Sequence, residues 1–344
     1  MNSKKIDFKK ILSKSQKLWI LLIVMLILTI LQPGVFLTAA NMKSILLSIS
    51  IYGIMVCGTI FPILLGGIDL SVGAVAAAAG AFAVVQIVKS NYSTSGVIIG
   101  VLGGLLLGVF VGLIHGIIVS KFDVPAFLIT LASQNIVYGV AQLLTKNNVI
   151  PCMEPASFAF LGGGRLFGIP FSIIIMLTIA IISYVLLNKT VLGRNVYAVG
   201  GNAEACRLSG VKSKKIIILS YITSGFTAAM AGIVLASMNR QAIAKAAQGY
   251  DNYVLTALVV GGASLMGGEG SIIGAIWGAF LVGVISNGLR LIGVTSDYHG
   301  IVKCIVIVAA VAFDAHIRHK NSGLQKSNFF FKKGKKLAKE GGSL

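Results

Sequence analysis

Residues 97–119 read VIIGVLGGLLLGVFVGLIHGIIV, a run without Asp, Glu, Lys or Arg and with glycine at 100, 104, 108, 112 and 116. A helix of this length covers about 30 Å, the thickness of the bilayer hydrocarbon. Glycine at every fourth position keeps one stripe free of side chains, so a neighbouring backbone can approach closely. The stretch is read as a membrane span that packs tightly on other spans and carries no chemistry along its glycine face. Gly274 and Gly278 repeat the spacing later in the chain.

Composition extends that reading to the whole chain. Of 344 residues, 56% are hydrophobic, 11% are charged and 41 are glycine, with a mean hydropathy of +0.92. A soluble domain carries about 25% charged residues, and a disordered chain is poor in apolar ones. Both classes are excluded. Apolar runs recur at about 18–31, 44–65, 70–88, 97–119, 124–144, 171–187, 215–237, 253–266, 270–289 and 300–314, ten in all. A cleaved signal peptide is a competing reading of the first run, which precedes Thr38-Ala39-Ala40, but an uncleaved first helix accounts equally well for the spans that follow. Several runs fall short of the roughly 20 residues a straight crossing needs. The expected fold is therefore an all-α membrane protein of about ten transmembrane helices, some short or broken.

The net charge of +19 is concentrated in three places. Residues 1–17 hold six lysines, residues 188–215 hold Lys189, Arg194, Arg207, Lys212, Lys214 and Lys215, and residues 315–344 hold eight cations. Basic segments beside apolar spans stay in the cytoplasm, so these three are expected there and nucleic acid is not needed to explain the charge. Six crossings from a cytoplasmic N-terminus lead to the central basic loop, and four more lead to the tail. This gives a basic N-terminal segment 1–17, a membrane domain 18–314 carrying the cytoplasmic loop 188–215, and a basic cytoplasmic tail 315–344.

The two halves are alike. Gly66-Gly67-Ile68-Asp69-Leu70-Ser71-Val72-Gly73 precedes a small-residue helix in the first, and Gly261-Gly262-Ala263-Ser264-Leu265-Met266-Gly267-Gly268-Glu269-Gly270-Ser271 precedes one in the second. Gly112 to Gly116 is echoed by Gly283 to Gly288, and each is followed within ten residues by an aspartate, Asp123 or Asp297. Paired repeats with interrupted helices are expected of transporters, in which irregular backbone lines a path. Glycines 66, 67, 261, 262, 267 and 268 are the expected break points.

Chemistry of other kinds is missing from the sequence. It has no phosphate-binding G-x-x-x-x-G-K-[ST], no H-E-x-x-H and no G-x-S-x-G, the signatures of P-loop hydrolysis, zinc proteolysis and serine hydrolysis. Cys57, Cys152, Cys206 and Cys304 form no C-x-x-C pair, and no metal cluster or disulfide framework is expected. Ion-coupled carriers bury carboxylates or histidines as relays. Here Asp69, Glu269 and Asp314 stand near span ends, His115 reads as a helix-to-helix hydrogen-bonding group, and His316 and His319 read as solvated. In the central loop, Asn202 can cap a short helix over Ala203 to Ser209, and Gly210 can end it in the left-handed conformation. Such a helix is either a lever on which a soluble motor pushes or a plain interfacial loop, and both readings stay open on these residues alone.

Three of these motifs together, residues 66–73, the loop from Leu192 to Val211 and the block from Gly261 to Gly274, resemble the permease subunits of bacterial ABC importers for ribose, xylose, arabinose and galactose. The resemblance covers about residues 40–315 and keeps the order of the motifs. It implies a multi-pass protein of the bacterial inner membrane that is not itself an enzyme. It further implies a second permease copy or paralogue, a cytoplasmic ATPase subunit that binds ATP and Mg²⁺, and an extracytoplasmic sugar-binding protein. No cofactor is expected on this chain. Arg194, Asn202, Glu204, Arg207 and Gly210 are implied to form the ATPase-coupling segment. Asp69, Ser71, Gln134, Asn135, Ser264, Ser271 and Asn287 are the expected path residues, since hydroxyl and amide groups exchange hydrogen bonds with sugar hydroxyls. Asp69 reads equally as the cap of the helix after it, and the serines and asparagines as interhelical partners. A nucleoside, inositol or furanose signalling molecule is the alternative solute, and an ion-coupled carrier the alternative mechanism.

Overall fold

A computed structural model describes residues 16–122 and 124–293 of the chain. The predicted span at 300–314, Asp123, Asp297, Cys304, Asp314, His316, His319 and the basic tail lie outside the described residues, as does most of the N-terminal segment.

The described residues form twelve helices and two two-stranded ribbons. In chain order the helices are α1 (Gln16–Leu31), α2 (Ala39–Leu64), α3 (Val72–Lys89), α4 (Thr94–Phe122), α5 (Ala126–Thr145) and α6 (Ala156–Gly163). They continue with α7 (Phe171–Lys189), α8 (Val191–Gly201), α9 (Ala203–Leu208), α10 (Ser213–Asn239), α11 (Tyr250–Val260) and α12 (Ile272–Leu291). Strand β1 (Ile150–Pro151) pairs antiparallel with β4 (Gln241–Ala242), and β2 (Arg165–Leu166) with β3 (Ile169–Pro170). Helices α2, α3, α4, α5, α7, α10 and α12 are long and apolar enough to cross a membrane. Leu21–Leu31 in α1 is a shorter apolar helix.

The glycine stripe of α4 packs as expected, but on two neighbours. Toward its N-terminal end a Cβ on Gly100 would lie 2.6 Å from the Ala83 carbonyl oxygen, and one on Gly104 would lie 2.8 Å from that of Ala79, both on α3. Toward the other end Gly108 faces the Gly225 backbone, Gly112 that of Tyr221, and Gly116 that of Ile218, all on α10. The outer face of α4 is apolar and exposed at Leu102, Leu106 and Phe110, as expected of a helix side turned to lipid. Gly274 and Gly278 of α12 likewise meet the backbones of Gly261 and Ala257, which seats α12 on α11.

The span predicted at 253–266 takes a different form. Its helix, α11, runs only from Tyr250 to Val260, and residues 261–271 form the irregular second break. Ahead of α11, residues 243–249 form a chain of turns that leads away from β4. The sequence there is an alanine-rich run whose only turn residue is Gly249 (φ +80°), too weak a signal to mark a break in advance.

Candidate functional site

Two arrangements stand out: a buried hydroxyl and carboxyl cluster at the first break, and a contact where both breaks meet α8.

Asp69 follows the turn that ends α2 and is 5% exposed. Its Oδ1 accepts hydrogen bonds from the Ser71 N–H (3.0 Å) and the Ser71 hydroxyl (2.6 Å). Its Oδ2 accepts from the Ser224 hydroxyl at 2.7 Å. Thr59 Oγ1 lies 3.5 Å from the Ser224 Oγ. One side chain therefore does two jobs. It holds Ser71, the N-cap residue of α3, by its N–H and hydroxyl without itself bonding the helix's first turn, and it clamps the break to α10. Nearby, His115 Nε2 and the Ser133 hydroxyl share a 2.6 Å hydrogen bond between α4 and α5, the helix-to-helix role expected of that residue. Both lie at the floor of an open, apolar groove of about 520 Å³ between α4 and α5, edged by exposed residues such as Phe110 and Ile136.

At the second break, Ser264 donates its N–H to the Glu269 carbonyl (2.8 Å) and its hydroxyl oxygen accepts from the Met266 N–H (3.1 Å). Ser271 caps α12, accepting from the Gly274 N–H at 3.1 Å. These serines hold the loop in shape. Asn287 is remote from both breaks: its side-chain amide donates to Asn41 Oδ1 (2.8 Å), joining the far end of α12 to the start of α2. Gln134 is half-buried on α5, and Asn135 is exposed there, bonded only weakly to its own helix at Leu131 (3.4 Å). Asp69 and Ser71 are thus brought together, Ser264 and Ser271 sit at the other break, and Gln134, Asn135 and Asn287 are elsewhere. Ser224 was not foreseen, because no sequence signal links it to a partner 155 residues away.

The breaks touch each other through main-chain atoms. The Gly268 N–H donates to the Leu64 carbonyl at 2.8 Å. A Cβ on Gly267 would lie 2.9 Å from the Gly66 nitrogen and 3.0 Å from the Gly200 oxygen. A Cβ on Gly200 would strike the Leu64 carbonyl oxygen. Gly66, Gly267 and Gly268 have φ of +75°, +85° and +77°, a region open to glycine without steric cost. Gly262 (φ +90°) turns the chain out of α11. The end of α8 is therefore wedged between the two breaks, and the Tyr197 hydroxyl adds a bond to the Gly270 carbonyl at 2.9 Å. Partial burial pushes that hydroxyl above the usual tyrosine range.

Directly after this wedge comes α9. Asn202 accepts from the Ala205 N–H at 2.9 Å, the expected cap, and Gly210 has φ +80°, the expected stop. Of the residues between them only Cys206 is buried; Leu208 is 76% exposed and Arg194 on α8 is also exposed. Glu204 and Arg207 pair with each other at 2.6 Å on the open surface. The guanidinium holds the Glu204 carboxyl below its ordinary range.

Broken helices clasped in a bundle of membrane-length helices, with an exposed short helix following the segment that touches both breaks, are the architecture of a membrane transport protein. Residues 41–311 match the family described as branched-chain amino acid transport system / permease component. The ribose import permease protein RbsC of Bacillus subtilis is 38% identical over 314 residues, covering 90% of this chain and 95% of that protein. The L-arabinose transport system permease protein AraH of Escherichia coli K12 is 38% identical over 281 residues (82% and 84%), and the Escherichia coli K12 RbsC is 38% identical over 306 residues (88% and 94%). No solved structure matches. The chain belongs to this family of ABC importer permeases, multi-pass proteins of the bacterial inner membrane.

Proposed function

We propose that this chain is the transmembrane subunit of an ATP-driven importer for a monosaccharide, a ribose-like pentose or a hexose. The kinship with ribose and arabinose permeases supports the solute class. In this reading the α9 end faces the cytoplasm, together with both termini, and ten crossings complete the bundle. A separate ATPase subunit binds ATP and Mg²⁺ and docks on α9. A second permease copy or paralogue completes the path within the lipid, and an extracytoplasmic protein delivers the sugar.

The observation that carries the reading is the wedge of Gly200 and Gly201 between the helix breaks. A push on α9 passes through α8 to both breaks at once, as rigid-body alternating access requires. The serines and Asp69 then lie where the helices part, offering weak, exchangeable hydrogen bonds to a solute in transit. The test is Glu204→Arg in the assembled transporter. It removes the Arg207 pair and reverses one charge on the docking surface, so ATPase co-purification and ATP-dependent sugar uptake should both fall while the protein still reaches the membrane. Unchanged co-purification and uptake would overturn the coupling role of α9.

A further inference from the structure

We propose that residues 243–249, through Lys245 and Gln248, line the outer half of the solute path. The proposal rests on the transport reading above and adds a lining that the sequence did not reveal.

The segment lies at membrane depth. It leaves β4, which pairs with β1 at the end of the bundle away from α9, and arrives at Tyr250, whose ring packs edge-on against Tyr52 with centroids 5.2 Å apart. Tyr52 is at the middle of α2, one of the membrane-length helices. The Ala247 carbonyl also sits against the start of α3, where a Cβ on Gly73 would come within 2.6 Å of it. Residues 243–249 therefore descend from the rim to mid-membrane.

They do so without forming a helix. The N–H groups of Ala246, Gln248 and Tyr250 each donate to a carbonyl three residues back, at 3.1 Å. Non-helical backbone at this depth is tolerated only against protein or facing water. The side chains divide in the same way. Ala242, Ala244 and Ala247 are buried at 2%, 7% and 0% exposure against the bundle, whereas Lys245 and Gln248 are exposed. An ammonium and a carboxamide turned outward in this layer are unfavourable in hydrocarbon, so the face they share opens on water. Chemically it suits a neutral, hydroxyl-rich solute: Lys245 donates, Gln248 both donates and accepts, and the half-buried Tyr250 ring offers an apolar surface to sugar C–H groups. A cationic solute would be repelled.

Single cysteines placed at 245 and 248, after replacement of Cys57, Cys152, Cys206 and Cys304, test this in the complete transporter in cells. Each variant is treated from outside with a membrane-impermeant thiosulfonate and, separately, with lipid-soluble N-ethylmaleimide. Leu106→Cys, on the apolar outer face of α4, is the lipid-facing reference. The expected result is labelling of Lys245→Cys and Gln248→Cys by the impermeant reagent, followed by loss of sugar uptake. Labelling by N-ethylmaleimide alone would place the segment in water reached only from the cytoplasmic side, labelling by neither would place it against protein or lipid, where a thiol does not ionise to react, and labelling with undiminished uptake would place it in water off the path. Each of these outcomes overturns the proposal. If Lys245→Cys fails to reach the membrane, Gln248→Cys gives the same readout. Accessibility is scored independently of solute, so a transporter that carries no sugar but labels from outside counts against the transport reading and not against the exposure of this segment.

Discussion

At the scale of single residues, the Asp69 carboxyl is shared between the helix it starts and a helix far away in sequence. Ser224→Ala deletes the donor to Oδ2 and leaves a buried acceptor unsatisfied, a loss of about 1–3 kcal/mol. Thermal unfolding in detergent should show a lower midpoint for Ser224→Ala, with Ser224→Thr, which keeps the hydroxyl, closer to wild type. The Glu204 and Arg207 pair makes a prediction about pH. The carboxyl is held below its ordinary range, so any contribution of the pair is complete above that range and is lost as pH falls through the lowered value. ATPase docking measured against pH should be flat near neutrality and weaken only in acid. These two sites also show what a sequence discloses. Asn202 and Gly210 could be assigned beforehand because a cap and a stop are set within four residues of chain. Ser224 could not, because its partner is chosen by how α2, α3 and α10 come together.

At the scale of elements, close packing of glycine-bearing backbones is the common device, used for adhesion along α4 and α12 and, in the proposed mechanism, for transmission at the end of α8. On α4 it is adhesion. Gly108→Leu would force a branched side chain into the Gly225 backbone, and overpacking of this kind costs about 1–3 kcal/mol or more; folded yield in detergent should drop clearly. At Gly200 the proposed use is transmission. Gly200→Ala would push α8 off the Leu64 carbonyl and loosen the wedge without touching the surface of α9. ATPase subunits should still co-purify, yet uptake per ATP hydrolysed should fall. Equal loss of binding and of transport would instead assign Gly200 to docking. The α4 stripe was legible because its four-residue period lies within one helix. The wedge was legible only in its parts: the glycine pairs of both breaks could be named from sequence, but their meeting with Gly200 and Gly201 depends on tertiary approach.

At the scale of the whole molecule, the described helices divide the labour between rigid walls and interrupted crossings. The walls were plain from hydropathy, since α2, α4, α7 and α10 are continuous apolar runs. The turns at 243–249 were not, because an alanine-rich run reads as helix by propensity and hydropathy does not register the break. Apart from the Tyr197 hydroxyl bond, the joint between the breaks is made of peptide groups and of places where side chains are missing. Its shape is therefore independent of the exposed side chains on α9. Natural drift can redecorate that outer surface while the fulcrum beneath it stays uncut.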